Sequence, residues 1–338
     1  MESLNVLVVT PAFDKSLPHA DEGIMRRIGA VNPKIKAKDG STLVFAELRG
    51  DESKKEELDA LLAETDVIYG FVPPKNVLSR APRLKWMQAT SAGVDRHQDT
   101  EIWRSKVILT GVSGIHATPI GEFVLGLMLM LAKNTPLSFK MKQKREWQRY
   151  MVHTLRGKTV GIIGLGHIGR EVARLAKALG MKVIATRRSV KEAGKAKNVD
   201  LLLPRDRMKE LLAESDYVVI SVPLTPETRH IIGEAELKAM KPTSYIINIG
   251  RGGLIDQGAL IRALDAKQIA GAGLDVVTPE PLPKDSRLWD YENVILSPHI
   301  SGGMEDYMER ATELFCENLK RYLDGKRLLN VIDRKKGY

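Results

Sequence analysis

The sequence predicts an α/β protein with two doubly wound parallel sheets, one in each of two domains. Three observations support this prediction. The chain has 338 residues, a length that suits two domains better than one. Strand-like and helix-like segments alternate along most of the chain, which is typical of parallel sheets covered by helices on both faces. One predicted strand also runs directly into a glycine-rich turn and a helix, within Thr159–Arg170.

Composition narrows the class of protein before any motif is considered. The net charge is +10, but the basic residues are dispersed, and the densest group, at 140–145, has no interleaved aromatic residues, so we expect no nucleic-acid partner. Cys316 is the only cysteine, which excludes an internal disulfide and favours a cytoplasmic protein. A strand is predicted from Leu4, without a preceding signal region, and the longest apolar run, Phe123–Ala132, is too short to span a bilayer.

The first domain is predicted to comprise residues 1–110 together with the C-terminal residues 300–338. Its predicted strands are Leu4–Val9, Thr42–Ala46, Asp66–Tyr69 and Lys85–Ala89, and its predicted helices are Asp21–Ala30, Ser53–Glu64 and Glu305–Asp324. The last helix is expected to cross back from the second domain. The loop Thr90–Asp95 follows a strand and contains Ser91, Ala92, Gly93 and Val94. Small residues there leave main-chain N–H groups for an anion such as a carboxylate, although an ordinary strand–helix turn is the alternative.

The second domain is predicted to comprise residues 111–299. It begins with an apolar helix, Thr118–Ala132, which has Pro119 in its first turn. The following segment, Lys133–Leu155, is polar and contains Trp147 and Tyr150. We expect this segment to wrap around or contact a partner subunit, but ordinary surface aromatics are an equally good explanation.

The glycine-rich turn predicts a dinucleotide site. The strand Val160–Ile163 leads into Gly164-x-Gly166-x-x-Gly169, a helix follows, and a second strand follows the helix. Gly164 permits the tight turn, Gly166 lets main-chain N–H groups approach a pyrophosphate, and Gly169 lets the helix pack closely on the strand. The N-terminus of the helix then faces the anion with its free N–H groups.

The end of the second strand indicates which dinucleotide is bound. An NAD site usually has Asp or Glu there to bond the ribose hydroxyls. This chain has Thr186, Arg187 and Arg188 instead. Guanidinium groups match a 2′-phosphate in charge and in geometry, so the sequence predicts a preference for NADP(H) over NAD(H). A solvated basic turn is the alternative.

Three polar residues follow later strands of the second domain. The strands are predicted at Tyr217–Ser221, Tyr245–Ile249, Ile269–Val276 and Val294–Leu296, with helical stretches at Leu211–Leu212, Ala235–Met240 and Gln257–Ala266 between them. Arg251, Glu280 and His299 come after the last three of these strands. Ligands of open parallel sheets lie outside the carboxyl ends of the strands, so we expect these side chains to meet.

These residue types suit the reduction of a carbonyl group. A histidine can give a proton to the carbonyl oxygen and take it back in the reverse reaction. A neighbouring carboxylate would orient the imidazole and stabilise its protonated form. An arginine can hold a substrate carboxylate and polarise the carbonyl. Each of these residues alone is more often structural or solvated; their placement on successive strand ends is what favours catalysis.

In these motifs, and in Gly273–Val276, Pro279–Pro281 and Pro298–Ile300, the chain resembles the D-isomer-specific 2-hydroxyacid dehydrogenase family along essentially its whole length. The resemblance implies a flavodoxin-like substrate domain and a Rossmann nucleotide-binding domain, with the active site in the cleft between them, and a homodimer formed through the nucleotide domain. It implies that Arg251 binds the substrate, that Glu280 pairs with His299, and that His299 donates and accepts the proton. It also implies that Gly93 and Val94 offer N–H groups to the substrate carboxylate.

The resemblance also assigns the cofactor. Asp275 is expected to bond the nicotinamide carboxamide, and Val222, Pro223 and Thr228 to line the adenine side. The full expected set of cofactor contacts is Gly164, Gly166, His167, Ile168, Gly169, Thr186, Arg187, Arg188, Val222, Pro223, Thr228, Ile249, Asp275, His299 and Gly302. Arg187 stands where many members have Asp, which favours NADP and the branch that resembles glyoxylate and hydroxypyruvate reductases.

Other functions of this fold remain open at the level of sequence. A dinucleotide-sensing scaffold, like the corepressors that share the fold, is the alternative from a different class. Among enzymes, a phosphoglycerate dehydrogenase is the nearer alternative, and formate or phosphite dehydrogenases are more remote. The remaining histidines show no metal-ligand spacing, so we expect no metal.

Overall fold

A computed structural model describes residues 3–10, 22–94 and 97–337. Asp21, with which the first helix was expected to begin, and Asp95, at the end of the anion-binding loop, lie outside the described residues. The chain forms two compact units. One consists of Met1–Ile115 with Met304–Tyr338, and the other of His116–Gly303.

The secondary structure alternates between strands and helices throughout the described residues. The strands are β1 (Leu4–Val9), β2 (Ile35–Asp39), β3 (Val67–Gly70), β4 (Trp86–Ala89), β5 (Ile108–Thr110), β6 (Thr159–Ile163), β7 (Lys182–Thr186), β8 (Gly194–Ala196), β9 (Val199–Leu203), β10 (Tyr217–Ile220), β11 (Tyr245–Asn248), β12 (Gly271–Leu274) and β13 (Val294–Leu296). The helices are α1 (Glu22–Gly29), α2 (Ser41–Leu48), α3 (Lys55–Glu64), α4 (Val77–Arg80), α5 (Ala117–Ala132), α6 (Thr135–Lys144), α7 (His167–Ala178), α8 (Met208–Glu214), α9 (Glu234–Lys238), α10 (Gln257–Asp265) and α11 (Tyr307–Leu323).

The sheet of the first unit is parallel, with the strand order β2-β1-β3-β4-β5. This order is that of flavodoxin-like domains and confirms the predicted fold. The C-terminal helix α11 belongs to this unit. Its Phe315 is fully buried and stacks on Tyr69 of β3, with 4.3 Å between the ring centroids. The helix therefore packs, together with α1, on one apolar face of the sheet.

The predicted strand Thr42–Ala46 is wrong. These residues lie in helix α2, where Val44 donates its N–H to the carbonyl of Gly40 at 3.0 Å, and Val44 and Phe45 are buried. A short apolar run fits a buried helix as well as a strand, so periodicity alone cannot separate the two. The neighbouring strand is β2, whose Lys36 and Lys38 give it the charged character of an edge strand.

The sheet of the second unit has the strand order β13-β12-β11-β10-β6-β7-β9-β8. Its pairs are parallel except for β8 with β9. From β9 to β12 the order is that of a Rossmann domain, which confirms the second predicted fold. The direction of winding reverses between β6 and β10, where ligands of such sheets bind. The sequence did not predict β8 and β9.

Helices cover both faces of this second sheet. Helices α5 and α7 pack on one face around Val124, Leu127 and Val172, and α8 to α10 pack on the other around Leu211 and Leu260. No single helix in the described part of the chain is long and apolar enough to cross a bilayer, and α5 and α6 meet that test only when joined across their 62° bend. Seven of the residues of α5 are buried in the unit.

Candidate active site

In the glycine turn after β6, the fold itself requires two of the three glycines but not the third, Gly166. Gly164 has a φ of +101°, and a β-carbon on Gly169 would lie 2.2 Å from the carbonyl oxygen of Gly164. Both positions therefore require glycine for the fold itself. Gly166 has an ordinary φ of −87°, and a β-carbon there would meet no other atom of the chain within 4 Å. The open space above Gly166 fits the close approach of a pyrophosphate.

Residues on either side of the turn hold it in place. Helix α7 begins at His167, an exposed residue, followed by Ile168, so the first N–H groups of the helix face the turn. The Ser221 hydroxyl donates to the Gly164 carbonyl at 2.7 Å. Val222 lies against Gly164, since a β-carbon there would be 2.6 Å from Val222 Cγ1. The turn is therefore fixed from the end of β10, at the reversal point of the sheet.

The loop after β10 closes on itself. The Thr228 hydroxyl donates to the carbonyl of Pro223 at 2.7 Å and accepts the N–H of Thr225 at 2.7 Å. This arrangement fixes Val222 and Pro223 next to the glycine turn. It gives the expected adenine-side residues a rigid main chain.

A group of arginines lies beyond the ends of β7 and β9. Thr186 is the buried last residue of β7, and the N–H of Arg187 bonds the carbonyl of Leu203 in β9 at 3.1 Å. This bond fixes the main chain while the side chains of Arg187 and Arg188 are exposed. Their exposure leaves them accessible to a phosphate group.

Arg205 is a further cationic residue of this region, and the sequence alone did not indicate it. It follows β9, and its guanidinium donates to the main-chain carbonyl of Glu227. A hydrogen bond from the Thr225 hydroxyl, together with the charges of Arg188 and Arg205, holds the pKa of Glu227 below its usual range. Arg205 therefore belongs to the same cationic region as Arg188. If β9, the strand next to β7, had been predicted, Arg205 would have been expected at the end of that strand.

The expected pairing of His299 with Glu280 is present. His299 Nδ1 lies 2.9 Å from Glu280 Oε2, and Glu280 Oε1 accepts the N–H of Val277 at 3.3 Å. Pro279 and Pro281 flank the carboxylate, both after cis peptide bonds. With Nδ1 committed to the carboxylate, His299 Nε2 is the atom that can exchange a proton with a substrate.

A buried carboxylate shapes the loop that carries His299. Asp275 is 1% exposed and accepts three hydrogen bonds, from the Ser297 hydroxyl at 2.7 Å and from the N–H groups of Ile300 at 2.9 Å and Ser301 at 3.0 Å. Its own carbonyl accepts the N–H of His299 at 2.8 Å. His299 has a φ of +54°, a conformation that non-glycine residues rarely adopt. The expected contact of Asp275 with the nicotinamide stays a prediction.

Arg251 lies in the neighbouring loop, after β11. Its guanidinium donates to the carbonyl of Gly250 at 2.8 Å, and its own carbonyl accepts Asn248 Nδ2 at 2.9 Å. A β-carbon on Gly252 would lie 2.0 Å from the carbonyl oxygen of Val277, so the two loops are packed main chain to main chain. Arg251 and the His299–Glu280 pair thus belong to adjoining loops at one edge of the sheet.

The anion-binding loop lies in the first unit, after β4. The Ser91 hydroxyl donates to the carbonyl of Gly93 at 2.8 Å, Ala92 is exposed and Val94 is buried. Among the described residues, the N–H groups of Gly93 and Val94 donate to no acceptor. The binding of an anion by these N–H groups stays a prediction.

Two further predicted cofactor residues lie at the same edge of the second sheet. Ile249 follows β11 and is 5% exposed, and Gly302 is in the loop of His299. Their contacts with a cofactor stay predictions.

The described residues contain no group of three or more His, Cys, Asp or Glu side chains placed to hold a metal ion.

Comparison with known proteins agrees with this geometry. Residues 125–301 match a family model described as D-isomer specific 2-hydroxyacid dehydrogenase, NAD binding domain. The chain is 35% identical, over 82% of its length, to D-3-phosphoglycerate dehydrogenase of Methanocaldococcus jannaschii, although the match spans only 54% of that relative. It is also 35% identical to glyoxylate reductase of Aeropyrum pernix, over 80% of this chain and 84% of the relative.

A solved structure is similar along almost the whole chain. The NADPH-dependent glyoxylate/hydroxypyruvate reductase of Sinorhizobium meliloti, in complex with NADP and sulfate, has a TM-score of 0.81 and 27% sequence identity. The match covers 99% of this chain and 100% of that one.

Substitution of Gly166 tests the dinucleotide site. We expect Gly166→Ala to weaken NADPH binding at least about tenfold, equivalent to about 1.4 kcal/mol, because the methyl group enters the space assigned to the pyrophosphate. The unfolding temperature is expected to stay unchanged, since the open space accepts the methyl group. The measurements are a fluorescence titration with NADPH and a thermal melt.

Gly126→Ala in α5 is the matched control. A β-carbon there also meets no atom within 4 Å, but the residue lies outside the glycine turn. NADPH affinity should equal that of the unaltered protein. Equal affinity in Gly166→Ala as well would contradict the assignment of the turn.

Proposed function

The chain belongs to the D-isomer specific 2-hydroxyacid dehydrogenase family, and from this premise we propose that it reduces small 2-oxo acids to D-2-hydroxy acids with NADPH. Family membership makes it an oxidoreductase with a nicotinamide dinucleotide-binding domain. The observation that carries the proposal is the His299–Glu280 pair, at 2.9 Å, on the same sheet edge as the glycine turn.

The residues at this edge fit a hydride transfer. Bound NADPH supplies the hydride that reduces the carbonyl carbon. His299 gives the proton on Nε2 to the carbonyl oxygen, so that the 2-oxo acid gains one hydride and one proton in total. Glu280 fixes the ring through Nδ1 and stabilises the positive charge of the protonated imidazole. In the reverse direction, His299 takes the proton back.

Arg251 is assigned to the substrate. A guanidinium can form a forked pair with the carboxylate of a 2-oxo acid and place positive charge near the carbonyl that becomes an alkoxide. The Asn248 side chain and the packing of Gly252 against Val277 hold its loop in place. We also propose that the Ser91–Val94 loop binds substrate, because the N–H groups of Gly93 and Val94 donate to no acceptor among the described residues.

The proposed preference for NADP(H) rests on the arginines beyond β7 and β9. Arg187 and Arg188 are exposed and stand where an NAD site usually has a carboxylate, and Arg205 adds charge to the same region. A 2′-phosphate would form ion pairs with these groups, whereas the 2′-hydroxyl of NAD has no charge with which to do so. The similar structure from Sinorhizobium meliloti is described as NADPH-dependent.

The proposed substrates are glyoxylate and hydroxypyruvate. The relative from Aeropyrum pernix is named a glyoxylate reductase, and the similar structure a glyoxylate/hydroxypyruvate reductase. We also propose a cytoplasmic location, because a reducing compartment suits a chain whose only cysteine is Cys316.

Loss of NADPH absorbance with glyoxylate, hydroxypyruvate and pyruvate tests the reaction. We expect turnover with at least one of these acids, and we expect His299→Ala to lower kcat by about 10²–10⁴-fold, because the general acid is removed. The dissociation constant of NADPH should change little. His230→Asn, at an exposed histidine whose side chain has no assigned role, is the control and should retain full activity. Full activity in His299→Ala would exclude His299 as the acid.

Arg187→Asp tests the cofactor preference. The ratio of kcat/KM for NADPH to that for NADH should fall at least about tenfold, because a carboxylate repels the 2′-phosphate and can bond the ribose hydroxyls. Both cofactors are measured with the same 2-oxo acid, so the NADH value controls for damage to the fold. A preference for NADH in the unaltered enzyme would overturn the assignment.

We propose a homodimer formed through residues 133–155. Several large apolar side chains of this segment are exposed, among them Phe139 at 56%, Trp147 at 98% and Met151 at 90%. Aromatic residues and methionine are enriched in protein–protein interfaces. The segment after α6 has no regular secondary structure up to Leu155, and a partner subunit would bury its exposed apolar side chains.

Light scattering tests the dimer. The mass should be twice the 37.6 kDa of one chain, and Trp147→Glu with Met151→Glu should shift it towards the mass of one chain, because the charges oppose burial. Trp289→Glu, at another exposed tryptophan outside the segment, is the control and should remain dimeric. A dimer unaffected by the Trp147 and Met151 changes would place the interface elsewhere.

A further inference from the structure

The loop that carries His299 has a second contact, with the ring of His116. A β-carbon on Gly302 would lie 2.9 Å from His116 Cδ2 and 3.8 Å from its Cγ and Nε2. The imidazole therefore occupies the space that a side chain at position 302 would need. Gly302 has no positive φ, so backbone conformation does not explain why this residue is glycine. The position of the His116 ring explains it, because the ring leaves no room for a β-carbon.

His116 is attached to a helix that packs on the strand leading to Asp275. Its carbonyl accepts the N–H of Ile120 at 3.1 Å, in the first turn of α5. Further along α5, Leu127 contacts β12, since a β-carbon on Gly273 would be 3.2 Å from Leu127 Cδ1. The loop is thus held by Asp275 at the end of β12 and by His116 at the start of a helix that packs on β12.

The ring contributes packing without charge. Burial, and to a lesser extent the nearby Arg251 guanidinium, lower the pKa of His116 to about 4. The imidazole is therefore neutral near pH 7 and does not repel Arg251 or a protonated His299.

We propose that His116 is a positioning residue, whose ring against Gly302 fixes the loop 297–302 and with it the imidazole of His299. This inference rests on the proposed function, because its effect is on the proton transfer assigned to His299. It assigns His116 a role that neither the glycine turn nor the strand-end residues indicate. The role depends on the steric fit between the imidazole ring of His116 and Gly302, which has no side chain.

A double-mutant cycle between the two residues tests the proposal. Gly302→Ala should lower kcat at least about tenfold, because the added methyl group and the ring cannot share the space. His116→Ala alone should lower kcat about fivefold or more, because the loop loses its support. In the double variant the smaller side chain at 116 leaves room for the methyl group. Its kcat should therefore exceed that of Gly302→Ala.

Three further readouts separate positioning from general damage. NADPH affinity in His116→Ala should stay near that of the unaltered protein, and the loss should be in kcat rather than in KM. The thermal midpoint should show the same relief in the double variant as kcat does. Gly126→Ala in α5, where a β-carbon meets no atom within 4 Å, should leave kcat and NADPH affinity unchanged.

The outcomes distinguish this inference from the proposed function. Absence of turnover in the unaltered protein would overturn both. Turnover in the unaltered protein, with a kcat within about twofold of it in His116→Ala, would overturn the inference alone. The inference would also be overturned if Gly302→Ala lowered kcat by the same factor in the unaltered protein and in the His116→Ala variant.

Discussion

The proposed site depends on the carboxylate of Asp275, because this group gives the loop of His299 its shape. A buried carboxylate is costly unless hydrogen bonds satisfy it, and here one hydroxyl and two main-chain N–H groups do so. Those bonds draw the chain from Ser297 to Ser301 around a single side chain. They stabilise the positive φ of His299, which turns its ring towards Glu280. The order of dependence therefore runs from Asp275 to the loop and from the loop to the proton donor.

The sequence predicted the features that depend on residues close together in the chain, such as the glycine turn and the polar residues that follow the strands. The glycine turn needs only the order of strand, glycines and helix, and its role follows from steric rules for each glycine. The ends of parallel strands lie at one edge by topology, so Arg251, Glu280 and His299 were placed together without coordinates. The pairing of His299 with Glu280 was expected and is present. The alternation of strands and helices predicted parallel sheets covered by helices on both faces, and the family resemblance implied the flavodoxin-like and Rossmann folds.

The rest depended on contacts between residues distant in the chain, which the sequence does not display. Thr42–Ala46 resembles a strand in composition but lies in helix α2, and tertiary packing rather than local sequence determines this. Arg205 was missed because β9 was missed, although it lies near Arg188 and Glu227 in space. The fit of the His116 ring to Gly302 joins residues from opposite ends of the second unit, and a glycine gives no sign of what occupies its missing side chain.

The most direct measurement is the kcat of Asp275→Asn with NADPH and a 2-oxo acid. The amide keeps the size of the side chain but puts an NH₂ group where an oxygen now accepts N–H or O–H donors. If Asp275 shapes the loop, kcat should fall at least about a hundredfold while the folded protein still binds NADPH. A kcat within about twofold of the unaltered enzyme would show that His299 is placed without Asp275, and would contradict the account.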